Sequence, residues 1–554
     1  MKKLYSVILF LSFFIFDCEA QSPLPKWLAA ATFYQVYPQS FKDSDGDGIG
    51  DIKGLISKLG YLQSLGINAI WVNPVFESAF EDAGYDVTNF YKVAPRYGTI
   101  NDITTLVKEA HGKGIKICFD LVAGHTSDKS QWFLQSSKKD TNQYTDRYIW
   151  TNSKTIKPSP KWICGNYERE GCFFKNFFDI QPALNYGYAK PNPANPWEQP
   201  VTAPGPQSTI AEMKNVVQYW MDKGIDGFRV DMASTLIKND TGFVETSKLW
   251  KGFRKWFSAK YPEGVLIAEW SDPEKSVKAG FMIDFLMHFN IKSYRSLFFN
   301  KWANPYLKRD TVFFDTLGNG TSLQFMNDYT YQLKAIGSEG YISVPTSNHD
   351  FARPNCGNRN TDAQLKVVLA FILTLKGIPF IYYGDEIGMK YIQNAKETEG
   401  SDQRGGSRTP MQWDNSPKAG FSTAPLDKFY LPLDTFNKRP SVAQQINDKN
   451  SLLSFTKQLI AFRKKYKALG NNGEFRLLYC KDYKYPLVYE RRAGNEKFII
   501  AINPSGKEQS AKFIYPTVNY ISTIMSSSES IIQSEKNTID LMAGPVSFAI
   551  YKVK

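Results

Sequence analysis

An arginine and an aspartate two residues apart are the first side chains in this sequence that could do chemistry. They lie in residues 227–234, where a glycine leads into a short apolar run. Because side chains alternate between the two faces of a strand, Arg229 and Asp231 would point the same way. The arginine would stabilise the ionised carboxylate that a nucleophile needs. A buried structural ion pair explains these eight residues equally well.

The elements that must position this pair are eight short apolar segments. They span residues 32–38, 69–74, 115–122, 227–234, 265–270, 281–289, 341–344 and 379–383. Segments with helical spacing, such as residues 210–223 and 362–376, lie between them. Strands that alternate with helices predict a parallel sheet with crossover helices. Eight such units, with polar residues at the strand ends, predict an α/β fold. This fold is a (β/α)8 TIM barrel with its active site at the C-terminal ends of the strands.

Two regions depart from this alternation. Residues 126–209 are rich in loops, prolines and aromatics, and their length predicts an excursion domain beside the site rather than an ordinary loop. Short alternating strands from about residue 473 predict a C-terminal antiparallel β-sandwich over residues 473–554. The catalytic barrel would then comprise residues 21–125 and 210–472.

Further polar residues lie near the ends of other predicted strands. They are Asp86, Asp120, His125, Glu269, His349 and Asp350. Two of the four histidines in the whole chain fall in this set. Three well-separated carboxylates with histidine and arginine neighbours, in a barrel of this kind, are the groups that glycoside hydrolysis uses.

The first twenty residues have the pattern of a secretory signal peptide. Two lysines precede an apolar run, and cleavage is expected near Ala20. The run is too short to span a bilayer comfortably, and no later segment has the pattern of a transmembrane helix. We therefore expect a secreted, extracellular protein without a membrane span.

The net charge of +13 comes from lysines and arginines that are scattered along the chain. Because no basic tract forms, we expect a solvated basic surface and no nucleic-acid partner.

The cysteines and two sequons fit an extracellular protein. Cys164 and Cys172 are close in sequence and predict a local disulfide, whereas the pairing of Cys356 and Cys480 stays open. Asn239 and Asn319 begin glycosylation sequons.

Residues 43–51 alternate carboxylates with glycines, as loops that wrap a hard cation do. An EF-hand would need glutamate at the twelfth position, which is Gly54 here. We expect a short structural Ca²⁺ loop, and the alternative is an acidic surface turn. The expected ligands are Asp43, Asp45, Asp47, the Ile49 carbonyl and Asp51.

Seven motifs in order carry a family resemblance. They are residues 33–38, 43–51, 84–86, 120–125, 227–231, 347–350 and 408–414. With these motifs the chain resembles the α-amylase family of glycoside hydrolases (family 13), in its α-glucosidase branch. Within that branch it is most similar to insect digestive maltases and sucrases, over essentially the whole mature chain.

The resemblance implies roles for the reacting residues. Asp231 would be the nucleophile, Glu269 the general acid/base and Asp350 the third carboxylate that holds sugar hydroxyls. Arg229 should lower the pKa of Asp231, while Glu269 should have a raised pKa. The resemblance also implies substrate contacts through Tyr85, His125 and His349. For the two histidines, the alternative is a core residue satisfied by hydrogen bonds.

The same resemblance implies a closed pocket. Asp86 would pair with an arginine after the eighth strand and grip the terminal hydroxyl of glucose. Arg404 and Arg408 are both candidates, and the spacing to residues 409–410 favours Arg404. Such a pocket would remove one glucose from a non-reducing end.

Four positions depart from the family pattern. Gly124 stands where an asparagine is usual, and Ala183 replaces an aspartate. Met232 follows the nucleophile in place of alanine or valine, and residues 271–274 form an atypical turn after the acid. These departures leave the preferred disaccharide open.

The sequence thus predicts a secreted retaining exo-acting α-glucosidase that hydrolyses sucrose, maltose and short α-glucosides. The reaction would pass through a covalent glucosyl-aspartate intermediate. A transglucosidase or sucrose isomerase would use the same residues. An amino-acid-transporter heavy chain would need a membrane anchor before the barrel. An endo-acting α-amylase would lack the closed pocket.

Overall fold

The computed structural model describes residues 23–152, 160–287, 290–298, 311–401, 403–435, 438–516, 518 and 520–554. The predicted signal peptide lies outside these residues. Among the described helices, none is long and apolar enough to cross a membrane.

Eight parallel strands form the centre of the molecule, which confirms the predicted barrel. Numbered with all other strands in chain order, they are β1 (Phe33–Val36), β2 (Ala69–Val72), β5 (Lys116–Leu121), β8 (Gly227–Val230), β9 (Val265–Ala268), β10 (Ile283–Phe285), β11 (Tyr341–Ser343) and β12 (Phe380–Tyr382). Each pairs with the next one from β1 to β11, and β1 also pairs with β12, so that β11 and β12 are the two edge strands. Between β11 and β12, the Ile378 N–H donates to the Ile342 carbonyl at 3.0 Å. The sheet is therefore a nearly closed barrel.

The helices lie around and beside this barrel. They are α1 (Ile52–Leu65), α2 (Ile100–Gly112), α3 (Gln131–Ser136), α4 (Pro204–Met221), α5 (Val244–Lys260), α6 (Pro273–Lys278), α7 (Arg295–Phe298), α8 (Leu323–Ile336), α9 (Asp362–Thr374), α10 (Val442–Gln445) and α11 (Leu452–Lys465). Helices α4 and α9 overlap the two helical patterns seen in the sequence. Capping boxes at Thr99 and Thr361 fix the starts of α2 and α9.

The barrel interior is layered, with aromatic rings below and polar groups above. Phe33 stacks on Phe380 with ring centroids 4.3 Å apart, and Phe285 packs edge-on against the same ring at 4.9 Å. Gln35 follows Phe33 by two residues, so it faces inward one layer higher. The apolar floor thus supports a polar layer at the C-terminal ends of the strands.

The chain between β5 and α4 contains α3 and the two-stranded sheet of β6 (Trp162–Cys164) and β7 (Cys172–Phe174). A disulfide joins Cys164 and Cys172, as predicted. The rings of Phe133, Trp150 and Phe173 pack together in this region. Another hairpin, β3 (Phe76–Ser78) and β4 (Val87–Val93), follows the second barrel strand.

The C-terminal region is antiparallel, as predicted. Its strands are β13 (Glu474–Tyr479), β14 (Leu487–Ala493), β15 (Glu496–Asn503), β16 (Gln509–Ile514), β17 (Ile521–Ser526), β18 (Ser530–Glu535), β19 (Thr538–Ala543) and β20 (Ser547–Val553). Strands β13, β14, β15, β20 and β17 form one sheet, and β16, β19 and β18 form the other. Buried residues of both sheets, including Ile499 and Leu541, make a common core. Helix α9 packs against β15 and β20, which joins this region to the barrel.

Candidate active site

Arg229 lies at the centre of a buried carboxylate cluster at the C-terminal ends of β5, β8 and β9. Its Nη1 donates to Asp120 at 2.7 Å and to Asp231 at 2.9 Å, and its Nη2 pairs with Glu269 at 2.6 Å. Strand register explains this convergence, because Asp120 lies opposite Arg229 and Val230 lies opposite Ala268. Asp231 and Glu269 are therefore the next residues on neighbouring strands.

The pKa values of Glu269 and Asp231 are both raised in this cluster. For Glu269 burial is the main cause, and Arg229 opposes it. For Asp231 burial and the charge of Glu269 raise the pKa well above its ordinary value, again against Arg229. Arg229 does lower the Asp231 pKa, as expected, but burial and the charge of Glu269 outweigh it. One guanidinium shared among three buried carboxylates cannot offset the desolvation of each.

The backbone directly after Asp231 also contacts Glu269. The Met232 N–H donates to Glu269 Oε2 at 2.9 Å. Met232 has a φ of 44°, in the left-handed region that a residue with a side chain seldom adopts. This turn couples the positions of the two reacting carboxyls.

His349 is held neutral within a chain of hydrogen bonds. The Gln35 amide donates to its Nδ1 at 2.9 Å, so the proton lies on Nε2, which donates to the Tyr85 hydroxyl at 2.7 Å. Tyr85 in turn donates to Asp120 at 2.9 Å. Burial lowers the pKa of His349 well below its ordinary value. The Tyr85 and His349 rings stack 5.4 Å apart, which fixes both.

His125 is bonded through both ring nitrogens. Its Nε2 donates to the Tyr85 carbonyl at 3.1 Å, and its Nδ1 accepts from the Asn176 amide at 2.9 Å. Burial lowers its pKa to about 4, so the ring is neutral. Gly124 leaves room for the Asn176 side chain, because a Cβ on Gly124 would lie 2.9 Å from Asn176 Nδ2. To bind a sugar hydroxyl, His125 must exchange one of these partners.

One end of the cluster is closed by Arg404. Its Nη1 donates to Asp350 at 2.9 Å and its Nη2 pairs with Asp82 at 3.3 Å. Arg408 also donates to Asp350, at 3.0 Å, and its Nε donates to the His349 carbonyl at 2.7 Å. Asp350 is thus held by two arginines. Of the two, Arg404 makes the second carboxylate contact, but its partner is Asp82 and not Asp86.

The predicted pairing of Asp86 with one of these arginines is wrong. The Asp86 carboxylate accepts from the Ser78 hydroxyl and from the N–H groups of Glu81 and Asp82. Within the part of the chain that the structure describes, it forms no ion pair. The reason is local, since these hydrogen bonds close the turn of residues 81–85 on the Asp86 carboxylate. Asp86 instead stabilises the turn that presents Asp82.

We expect Asp82→Ala to lower kcat/KM by about 10²–10³-fold for every α-glucoside, because a site built to hold a hydroxyl loses that contact. Asp86→Asn, which keeps an acceptor oxygen, should cost about tenfold or less, since its effect is indirect. Steady-state kinetics on maltose and sucrose measures both. If Asp86→Asn lost more activity than Asp82→Ala at unchanged melting temperature, the predicted pairing of Asp86 with an arginine would be supported instead.

Several residues that order the site were not predicted from the sequence. They are Gln35, Trp71, Asn73, Asp82 and Asn176. Gln35 could have been found, because it shares the inward face of β1 with Phe33. Asn176 belongs to a distant loop, and no spacing in the sequence links it to His125.

The aspartate loop fits a cation only in part. Carboxylate oxygens of Asp43, Asp45 and Asp51 lie within 4.8 Å of one another. The Asp47 carboxylate is outside this group and accepts from the Ile49 N–H at 2.7 Å. Three converging carboxylates are suitable ligands for Ca²⁺, whereas the structure leaves Asp47 out of the predicted ligand set.

Comparisons with known proteins agree with this geometry. Residues 35–472 match the family model for the α-amylase catalytic domain. The chain is 31% identical over 489 residues to a trehalose synthase/amylase of Mycolicibacterium smegmatis, covering 82% of this chain and 78% of that protein. It is 28% identical to an α-glucosidase of Culex pipiens, covering 87% and 82% respectively.

Among solved structures, one similar fold is an isomaltulose synthase variant of Erwinia rhapontici NX5 in complex with its natural substrate sucrose. The TM-score is 0.78 at 25% sequence identity, covering 96% of this chain and 100% of the other. A family match over most of the chain, together with converging carboxylates at the barrel's C-terminal end, settles the classification. The chain belongs to the α-amylase family and is a glycoside hydrolase.

Proposed function

We propose that this protein is a secreted, retaining, exo-acting α-glucosidase that acts on sucrose, maltose and short α-glucosides. The contact of Arg404 with both Asp82 and Asp350 carries the proposal. This bridge closes one end of the carboxylate cluster, so a sugar chain cannot continue past it. A single terminal glucose is the substrate unit that fits such a pocket.

The residues divide the chemistry between them. Asp231 attacks the anomeric carbon while Glu269 gives its proton to the departing glycosidic oxygen, and a glucosyl-aspartate forms. Glu269 then takes a proton from water, whose oxygen displaces Asp231 and releases glucose with its configuration retained. Asp350, held by its arginines, accepts hydrogen bonds from the sugar.

The charge balance of the cluster supports this division. Five carboxylates, those of Asp82, Asp120, Asp231, Glu269 and Asp350, face the guanidinium groups of Arg229, Arg404 and Arg408. Excess buried negative charge favours retention of a proton. Glu269 is the group that keeps this proton and donates it as the general acid.

Glucosyl transfer is the second candidate, and two similarities favour it. One relative is named a trehalose synthase/amylase, and one structural neighbour is an isomaltulose synthase. In transfer, a sugar hydroxyl replaces water in the second step. Met232, beside Asn176 at the turn after the nucleophile, can influence which acceptor fits.

The test incubates the purified protein with sucrose, maltose and isomaltose and identifies all products by chromatography. Hydrolysis gives glucose and fructose in equal amounts from sucrose. An isomeric disaccharide as the main product would establish transfer instead. Starch shortened at internal bonds would contradict the closed pocket.

Secretion is supported by two structural features. The Cys164–Cys172 disulfide suits an oxidising compartment. The sequon residues Asn239 and Asn319 are both exposed. Expression in eukaryotic cells should therefore give a glycosylated product in the medium that lacks the first twenty residues or so, which mass spectrometry of the N-terminus measures.

A structural Ca²⁺ at Asp43, Asp45 and Asp51 is also part of the proposal. Chelation should lower the melting temperature by about 5 °C, because removal of the ion destabilises the native state. The initial rate of the folded enzyme should hardly change, since the loop carries no reacting group. Thermal melts with and without EDTA measure the effect.

Two variants separate the observed ligand set from the predicted one. Asp45→Ala should abolish the chelator effect, while Asp47→Ala should preserve it. If the chelator no longer lowered the melting temperature of either variant, Asp47 would also be a ligand of the ion. An immediate stop of turnover on chelation, without unfolding, would place the metal in the chemistry.

A further inference from the structure

We infer that Asp284 is a positioning residue for the general acid/base: it fixes the strained turn that follows Glu269. This inference rests on the proposed glucosidase function. Asp284 lies on β10, is completely buried and accepts five hydrogen bonds. The donors are the N–H groups of Trp270, Ser271, Asp272 and Phe285, and the hydroxyl of Ser276.

Three of these donors are consecutive backbone groups directly after Glu269. The distances from the Asp284 oxygens are 3.1 Å to Trp270 N, 3.2 Å to Ser271 N and 3.0 Å to Asp272 N. Consecutive N–H groups point to one side only when the chain turns sharply between them. Asp284 is therefore the anion around which this turn folds.

The turn is strained at its centre. Ser271 has a φ of 56°, in the left-handed region. Its conformation persists because the surrounding groups hold it, as strained residues near functional sites require. All five donors to Asp284 are neutral, and burial raises the pKa of this carboxyl to about 7. These hydrogen bonds offset part of the cost of burying this carboxyl.

The Asp284 side chain lies on the face of the sheet that is turned away from the pocket. It lies opposite Ala268 in the strand register. Because successive side chains alternate, Glu269 points to the other face, into the pocket. Asp284 touches no reacting atom. Its influence passes through the backbone of residues 270–272 to the carboxyl that must meet the glycosidic oxygen.

This arrangement explains the atypical turn at residues 271–274. A relaxed turn would shift Glu269 away from Arg229 and from the Met232 N–H, which its two oxygens contact at 2.6 and 2.9 Å. Misplacing a catalytic group by about 1 Å can cost about 100-fold in rate. The loss should affect the step that needs the acid.

The test compares two substrates in Asp284→Asn, whose amide group cannot accept from all of the present donors. For maltose, whose leaving group needs a proton, we expect kcat/KM to fall about 100-fold. For α-glucosyl fluoride, whose leaving group needs less acid assistance, kcat/KM should fall only about tenfold. A smaller loss on this substrate is expected where general acid catalysis is impaired.

Asp226→Asn is the matched control. Asp226 is also buried and accepts from the Ile117 N–H at 2.8 Å, but it lies at the start of β8, at the other end of the barrel. Its replacement should leave the ratio of the two activities at the wild-type value, even if the melting temperature falls. Ser276→Ala removes one donor to Asp284 and should move that ratio in the same direction as Asp284→Asn, by a smaller factor.

If Asp284→Asn lowered kcat/KM equally for both substrates, so that the ratio of the two activities stayed at the wild-type value, the inference would be overturned. If that variant does not fold, an unchanged ratio in Ser276→Ala overturns it. A wild-type protein that cleaves neither substrate would instead refute the proposed function, so the two failures are distinguishable.

Discussion

Asp231→Asn is expected to lower turnover of maltose by about 10⁴–10⁶-fold, the scale seen when a catalytic nucleophile is removed. The amide has no anionic oxygen to attack the anomeric carbon. It can still accept the hydrogen bond that Arg229 now donates at 2.9 Å. The fold should therefore survive, and rapid-mixing or long-incubation assays measure the residual rate.

The control for this variant is its melting temperature, which should stay close to that of the wild type. Relieving repulsion within the carboxylate cluster could even raise it. A folded Asp231→Asn protein with turnover within about tenfold of wild type would remove Asp231 from the mechanism, since true nucleophiles are not dispensable to that degree.

Glu269→Gln is expected to lower kcat/KM for maltose by about 10²–10⁴-fold, the usual contribution of a general acid. The loss should be much smaller for formation of the glucosyl-enzyme from α-glucosyl fluoride. Stopped-flow measurement of fluoride release separates this first step from the later hydrolysis. Equal losses for maltose and for fluoride release would contradict the acid assignment.

The pH profile tests the same residue independently. Activity needs Glu269 protonated, so the rate falls as pH rises through its raised pKa. Activity also needs Asp231 ionised, so the rate falls as pH drops through the pKa of that group. The two carboxyls titrate as an interacting pair, and the profile reports values for the pair. In Glu269→Gln the basic limb should vanish for fluoride release.

The barrel and its reacting carboxylates could be predicted because their signals are local. Short apolar strands alternate with helices, and Asp231, Glu269 and Asp350 each follow a strand whose position is clear from its apolar residues. Strand register alone then brings neighbouring residues together. The long excursion region and the antiparallel C-terminal sheets also follow from changes in the local pattern.

The errors came from features that no local pattern contains. The carboxylate beside Arg404 is Asp82, four residues before the predicted one, because a turn reverses which side chains face the pocket. The pKa of Asp231 is raised despite Arg229, since the sequence shows this charged neighbour but neither the burial of Asp231 nor the nearby charge of Glu269. Asn176 and Asp284 act from outside the motifs altogether.

Proton NMR of the first sugar released from p-nitrophenyl α-glucoside tests the central claim most directly. A retaining enzyme with Asp231 as nucleophile and Glu269 as acid/base must release α-glucose first, and the β-anomer then grows by mutarotation. We predict that order. β-Glucose as the first product would mean direct attack by water and would contradict the account.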